Sequence, residues 1–223
     1  MQNLVGEMFE TLFRDSGPAK ARGAMPDDVA DCAMSFQSEV IDDICEDLAS
    51  HVERDPAVLG EPLLVLTPNA PFVATLCHRV AHAIWQSHDS PEKRRIAMAV
   101  SHFGRVLSGA EIHPAARIGR RFVLDHGTNT VIGATTVIGD DCYILNAVIL
   151  GARGISENPQ GKRHPTLGNR VQVGAFSRIL GDIRVDDDVF IHPHSVVLTD
   201  VAAKAGNAVP PFARRFCLDG SAA

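Results

Sequence analysis

Residues 131–150 read "VIGATTVIGDDCYILNAVIL". A helix would repeat its apolar places every 3.6 residues and a strand every two. Here Ile132, Ile138, Ile144 and Leu150 come round every six. The beat extends both ways. Upstream, Ile112, Ile118 and Leu124 keep it, and a slip of two residues separates them from Ile132. Downstream, after an interruption, Leu167, Val173, Ile179, Val185, Ile191 and Val197 resume it. All thirteen places hold Ile, Leu or Val. Glycine follows at 119, 133, 139, 151, 168 and 174, although 18 glycines in 223 residues would put one at only about one place in twelve. The fifth place of each six is small or aliphatic: Ala116, Thr128, Thr136, Cys142, Val148, Val171, Ser177, Ile183, Val189, Ser195 and Val201, with Phe122 the bulky exception.

Hexapeptides of this kind mark a parallel β-helix. Each six makes one short strand and one corner, and three sixes make a coil of a triangular prism. The first and fifth places point inward, where each coil covers the next, because one coil cannot bury its own interior. Glycine beside the inward residue is expected to permit the tight corner. Between Leu150 and Leu167 the beat is broken by "GARGISENPQGKRHPT". This polar, Gly- and Pro-containing segment predicts a loop thrown out from one corner, about 152–166, of a length that usually carries function.

The first 108 residues follow the helical period instead. Val40, Ile44, Leu48 and Val52 fall four apart with Ile41 beside them; Phe72, Leu76, Val80 and Ile84 do the same over about 70–87. A third helix opens at "SPEKRR", with Ser90 as N-cap and Pro91 at the first helical position, and carries Ile96, Val100, Phe103 and Leu107. Residues 24–61 hold eleven acidic side chains and a single basic one, Arg54, which reads as a solvated helix face or as a surface for a partner.

The chain is 45% hydrophobic with a formal net charge of −6. It lacks the basic footprint of a nucleic-acid or anionic-membrane binder, and no apolar run approaches the ~20 residues of a membrane span. The five cysteines (Cys32, Cys45, Cys77, Cys142 and Cys217) are odd in number and form no CxxC pair, so they are expected as reduced thiols of a cytoplasmic protein. The N-terminus has no basic leader and does not read as a signal peptide.

In "LDHGTN", Leu124–Asn129, the phase turns Leu124 and Thr128 inward and leaves Asp125 and His126 outward. An outward histidine is suited to acid–base work near neutral pH. Five motifs in order, "DPA" at Asp55–Ala57, "IHPAARIG" at Ile112–Gly119, "LDH" at Leu124–His126, "RHP" at Arg163–Pro165 and "SVVL" at Ser195–Leu198, resemble the serine acetyltransferases. These belong to the left-handed β-helix (hexapeptide-repeat) acyltransferases. The likeness covers about residues 40–210.

That resemblance implies an α+β chain: a helical oligomerisation and substrate-contact domain (1–108), a left-handed β-helix catalytic domain (109–202) and a C-terminal tail (203–223). It implies acetyl transfer from acetyl-CoA to the side-chain hydroxyl of L-serine, giving O-acetyl-L-serine for cysteine biosynthesis. Trimers with active sites between subunits are implied, and pairing of trimers into hexamers. His126 would be the general base. Its orienting carboxylate, an Asp in the family, is Glu111 here, a longer arm with the same charge. Asp55 and Asp125 would meet the substrate ammonium, and Arg163 with His164 the substrate carboxylate. Lys162, where the family often has an acid, would add positive charge beside that clamp. Gly151, Ala152, Gly174, Ala175 and Gly181 are candidates for the groove of the acetyl-CoA arm, and Arg178, with Arg170, Arg214 and Arg215, for its phosphates. The histidine spacing does not resemble that of the zinc enzymes built on the same prism, so no metal is expected. The same fold accommodates other acceptors, such as homoserine, D-serine or a sugar. A non-catalytic scaffold is disfavoured by the complete set of motifs. A complex with O-acetylserine sulfhydrylase is not expected, because the last residues, "CLDGSAA", lack the C-terminal Ile the family uses for it.

Overall fold

The structure is a computed structural model that describes residues 1–13, 25–66, 71–87, 90–158, 160–203 and, as backbone, 208–209. Cys217, Arg214, Arg215 and most of the 203–223 tail lie outside the described residues.

All thirteen aliphatic first places lie in strands, each two or three residues long, and the strands form three parallel faces. In face A, Ile112, Ile132, Leu150, Ile179 and Val197 stand in register; in face B, Ile118, Ile138, Leu167 and Val185; in face C, Leu124, Ile144, Val173, Ile191 and Val209. This is the left-handed β-helix, and the strand at Ala208–Val209 adds a place the sixes did not reach. Each inward residue sits on its counterpart one coil away, roughly 4.8 Å off. The inward side chains from Ile112 to Val197 are all buried except Ile118, which is partly buried, and Ile132, Ile144, Leu150, Ile179, Val185 and Ile191 are fully enclosed.

Two details differ from the sequence reading. Thr128 is exposed, and Thr130 takes its inward place at 0% exposure. The two extra residues fall right after Asp125: His126 and Gly127 both adopt left-handed backbone, φ 58° each, and push Thr128 outward before the beat resumes. The corner glycines also serve another end. Gly119, Gly133, Gly139, Gly151, Gly168 and Gly174 are not in the left-handed region. The left-handed corners are taken by Arg121, Asn129, Asp141, Ala147, Arg170, Phe176, Asp188 and His194. What the glycines supply is close approach: a Cβ on Gly119 would meet the Gly139 backbone at 2.6 Å, and one on Gly139 the Gly168 backbone at 2.6 Å.

The helical half comprises α1 (Gln2–Phe13), α2 (Asp27–Ser35), α3 (Gln37–Arg54), α4 (Pro62–Val65), α5 (Phe72–Ser87) and α6 (Pro91–Ser108). Ser90 caps α6 by accepting from the Lys93 amide at 3.2 Å, and Gly109 ends it in left-handed conformation. Val40, Ile44, Leu48, Leu76, Val80, Ile84, Ile96 and Val100 meet in one core. A buried ion pair ties this core to the prism. Arg79 of α5 grips Asp47 of α3 through Nε (2.8 Å) and Nη2 (3.0 Å), and donates onward to the carbonyls of Ile118 and Gly119 at 2.7 and 2.6 Å. Asp47 in turn accepts from the Phe122 amide at 2.8 Å. Part of the acidic stretch thus faces the chain's own arginines: Arg120 pairs with Glu46 and Asp43, and Arg121 with Glu53 at 2.7 Å.

Candidate active site

The end of α3 and the first corner between faces C and A meet at a small hollow. Asp55 ends the helix; its Oδ1 accepts from the Ala57 amide at 2.8 Å and fixes the 3-10 turn at Pro56–Val58. Its Oδ2 is left pointing at Nε2 of His51, one helical turn back, 3.7 Å away. Asp125 comes from the prism. Its Oδ2 accepts from the Tyr143 hydroxyl at 2.9 Å, and Tyr143 is directly above Val123 in face C. Arg54 lies over the Tyr143 ring at 4.8 Å and donates to the Asp141 carbonyl at 2.9 Å, closing the floor. Ligand atoms of His51, Asp55 and Asp125 lie within 4.8 Å of one another, close enough to share one cation.

His126 stands at the rim, 74% exposed, with Nε2 3.8 Å from Asp125 Oδ2. Among the described residues that is the carboxylate within 4 Å of it. Glu111 does not meet His126 within one chain. It projects from the outer side of face A, and Arg105, in the last turn of α6, reaches across to bond it at 2.6 Å.

Arg163 and His164 occupy the other edge of face A, where the excursion loop folds back over the second coil. The His164 ring lies over Gly133, where any Cβ would overlap it. Its Nδ1 accepts from the Thr135 amide at 3.2 Å and meets Thr135 Oγ1 at 2.8 Å. Burial, then the charges of Arg163, Lys162 and His113, push its pKa down to about 4. A neutral ring that accepts at Nδ1 carries its proton on Nε2 and is a donor there. Burial likewise lowers His113, with Arg163 adding to the effect. Lys162 lies beside the clamp with its charge already engaged. Its ammonium turns inward and donates to the carbonyls of Thr135 (2.6 Å), His164 (2.5 Å) and Pro165 (3.1 Å). The Pro165 carbonyl also accepts from the Val137 amide at 3.1 Å, and burial lowers the Lys162 pKa from the usual lysine range.

The groove candidates divide in the same way. Gly174 and Ala175 follow face C, on the His126 edge, whereas Gly151, Ala152 and Gly181 follow face A, on the Arg163 edge. Gly181 takes a left-handed φ of 100° and donates to the Gly151 carbonyl at 2.9 Å. Arg178 projects from face A between the two edges and is exposed. Arg170 is paired on the surface with Asp188 through two bonds, at 2.6 and 2.8 Å.

His51 and Tyr143 were not singled out from sequence. His51 had a readable signal, since it lies four residues before Asp55 on one helical face. Tyr143 had none short of the coil register.

An outward, open histidine on a hexapeptide prism, with carboxylates beside it and a basic loop on the next edge, defines a β-helix acyltransferase. Comparison with known proteins agrees. The family model described as bacterial transferase hexapeptide (six repeats) matches residues 164–199. Serine acetyltransferase of Helicobacter pylori is 46% identical over 163 residues, 71% of this chain and 88% of the relative. The solved structure of soybean serine acetyltransferase complexed with serine superposes with a TM-score of 0.69 at 36% identity, over 78% of this chain and 68% of that one. A serine acetyltransferase complexed with CoA gives 0.72 at 28% identity, over 90% and 78%. The chain belongs to the serine acetyltransferase family and is an acetyltransferase.

Proposed function

We propose that the chain transfers the acetyl group of acetyl-CoA to the side-chain hydroxyl of L-serine, giving O-acetyl-L-serine for cysteine biosynthesis. The observation that carries this reading is the convergence of Asp55 and Asp125, seventy residues apart, on one hollow beside the open His126. Two carboxylates match an amino-acid ammonium and disfavour a sugar. Relatives solved with serine and with CoA support both substrates.

His126 accepts the hydroxyl proton as the serine oxygen attacks the thioester carbonyl carbon. The carbon–sulfur bond then breaks, and the proton passes to the departing CoA thiolate. General-base help of this kind is worth ~10²–10⁴-fold. Arg163 and the Nε2–H of His164 hold the substrate carboxylate. Gly151, Ala152, Gly174, Ala175 and Gly181 flank the acetyl-CoA arm, with Arg178 near its phosphates. No metal takes part in this scheme.

Asp125 and His126 lie on one edge of face A and Arg163 and His164 on the other, so a single prism does not close the site. A homotrimer, singly or paired through the helical half (1–108), brings one protomer's first edge to its neighbour's second, with Glu111 on the face between them orienting the base. The β-helix (109–202) is then the catalytic unit, and a stable complex with O-acetylserine sulfhydrylase through the 203–223 tail is not part of the reading. Among the described residues no helix is long and apolar enough to cross a membrane, and Cys32, Cys45, Cys77 and Cys142 are free thiols, in keeping with a cytoplasmic enzyme.

Acetyl-CoA turnover on L-serine, D-serine, homoserine and an amino-free sugar tests the proposal. L-serine is expected to give the highest kcat/KM. Turnover of homoserine or a sugar with none of L-serine would overturn it.

A further inference from the structure

We propose that His51 is the third acceptor for the substrate's ammonium group, completing with Asp55 and Asp125 a three-point subsite selective for a primary amine. The inference rests on the reading of the hollow as the amino-acid site, and deepens it.

The geometry is specific. His51 is 5% exposed, yet its Nε2 opens into the hollow rather than into the helical core. At 3.7 Å from Asp55 Oδ2 it is outside hydrogen-bond reach, so Asp55 does not consume it. The two carboxylates each have one oxygen already engaged, Asp55 Oδ1 by the Ala57 amide and Asp125 Oδ2 by Tyr143. Their positions are therefore set before anything binds. A primary ammonium has three N–H bonds directed tetrahedrally. Two carboxylates from two edges of the hollow and one imidazole nitrogen from the helix supply three separate acceptors.

The ring has to be neutral to accept. Asp55 on its own helix, and Asp125 and His126 on the prism corner, are the charged and titratable groups facing it. Burial outweighs the pull of Asp125 and Asp55 and holds His51 below the usual imidazole range. A lysine or arginine there would occupy the carboxylates itself, and an apolar residue would leave one N–H of the bound ammonium without a partner, at a cost.

The test compares His51→Leu, His51→Gln and wild type on L-serine and N-methyl-L-serine, whose ammonium has only two N–H bonds. Wild type is expected to favour L-serine by about tenfold or more in kcat/KM, the worth of one charge-assisted hydrogen bond. His51→Leu should raise KM for L-serine by about tenfold and change kcat by less than about threefold. It should leave KM for acetyl-CoA unchanged and shrink the preference over N-methyl-L-serine. His51→Gln, which keeps an acceptor near the Nε2 position, should recover most of the loss. An unchanged KM in His51→Leu, or an undiminished preference for the primary amine, would overturn the inference. If His51→Leu does not fold, equal use of the two substrates by wild type overturns it alone. Absence of any L-serine turnover by wild type would instead remove the proposed function beneath it.

Discussion

The two edges of face A both carry polar groups and are built in opposite ways. The His126 edge is made across a junction. Asp55 and His51 come from α3, Asp125 and Tyr143 from the prism, and the hollow exists only while helix and prism stay docked. The Arg163 edge is made within the repeat, by a loop laid over Gly133 and fastened through Lys162 and Thr135. The first edge therefore inherits the stability of a domain contact, and the second that of one staple. Damage to either should reach substrate binding by a different route, and the following substitutions separate the routes.

The largest effect belongs to the chemistry. His126→Ala should lower kcat roughly 10²–10⁴-fold. Because the His126 side chain is largely exposed at its corner, the unfolding midpoint should be nearly unchanged. A mutant with near wild-type kcat would remove it as the base.

Next comes the junction. Arg79→Met leaves Asp47 buried without its partner and the carbonyls of Ile118 and Gly119 without a donor. Breaking one side of such a pair costs about 3–5 kcal/mol, readable by denaturant unfolding. KM for L-serine should rise while KM for acetyl-CoA holds. Wild-type stability would show that the docking rests elsewhere.

The staple should matter less. Lys162→Met removes three donor contacts from the loop and should raise KM for L-serine by roughly tenfold, with no loss of global stability. A fall in KM would mean that Lys162 had been competing for the clamp rather than supporting it.

The smallest effect is one of pH. Burial lowers His78, His51, His82 and His113, and brings His164 to about 4. Each binds a proton more readily unfolded, near 6.5, than folded. Stability is thus complete above about 6.5 and falls as pH drops from there through about 4. His78 is buried, and among the described residues neither ring nitrogen has a hydrogen-bond partner. His78→Leu should flatten the acid side of the Tm–pH curve; an unchanged slope would exclude His78 as a contributor.

The repeat was the legible part of this sequence. Its thirteen aliphatic places became thirteen strand positions because stacked coils impose one geometry on every six residues. Thr128 escaped because an insertion can be absorbed on either side of a corner, and only the backbone of His126 and Gly127 decides which. The glycines were placed correctly for the wrong reason, since coil-to-coil distance is invisible in one dimension. In the site, Asp55, Asp125, His126, Arg163 and His164 were recoverable as motifs. Tyr143 and the inward turn of Lys162 were not, because the coil register alone brings their partners near, Asp125 18 places from Tyr143 and Thr135 27 from Lys162; His51 carried only its helical spacing to Asp55.

The central claim is that the two edges act together only across a protomer boundary. Mixing His126→Ala with Arg163→Ala chains, after reversible dissociation, tests it directly. Each variant alone should be nearly inactive on L-serine. The mixture should recover up to about a quarter of the wild-type rate, as random assembly around a closed ring restores both residues at some boundaries. A mixture no more active than the sum of the two variants would contradict the account.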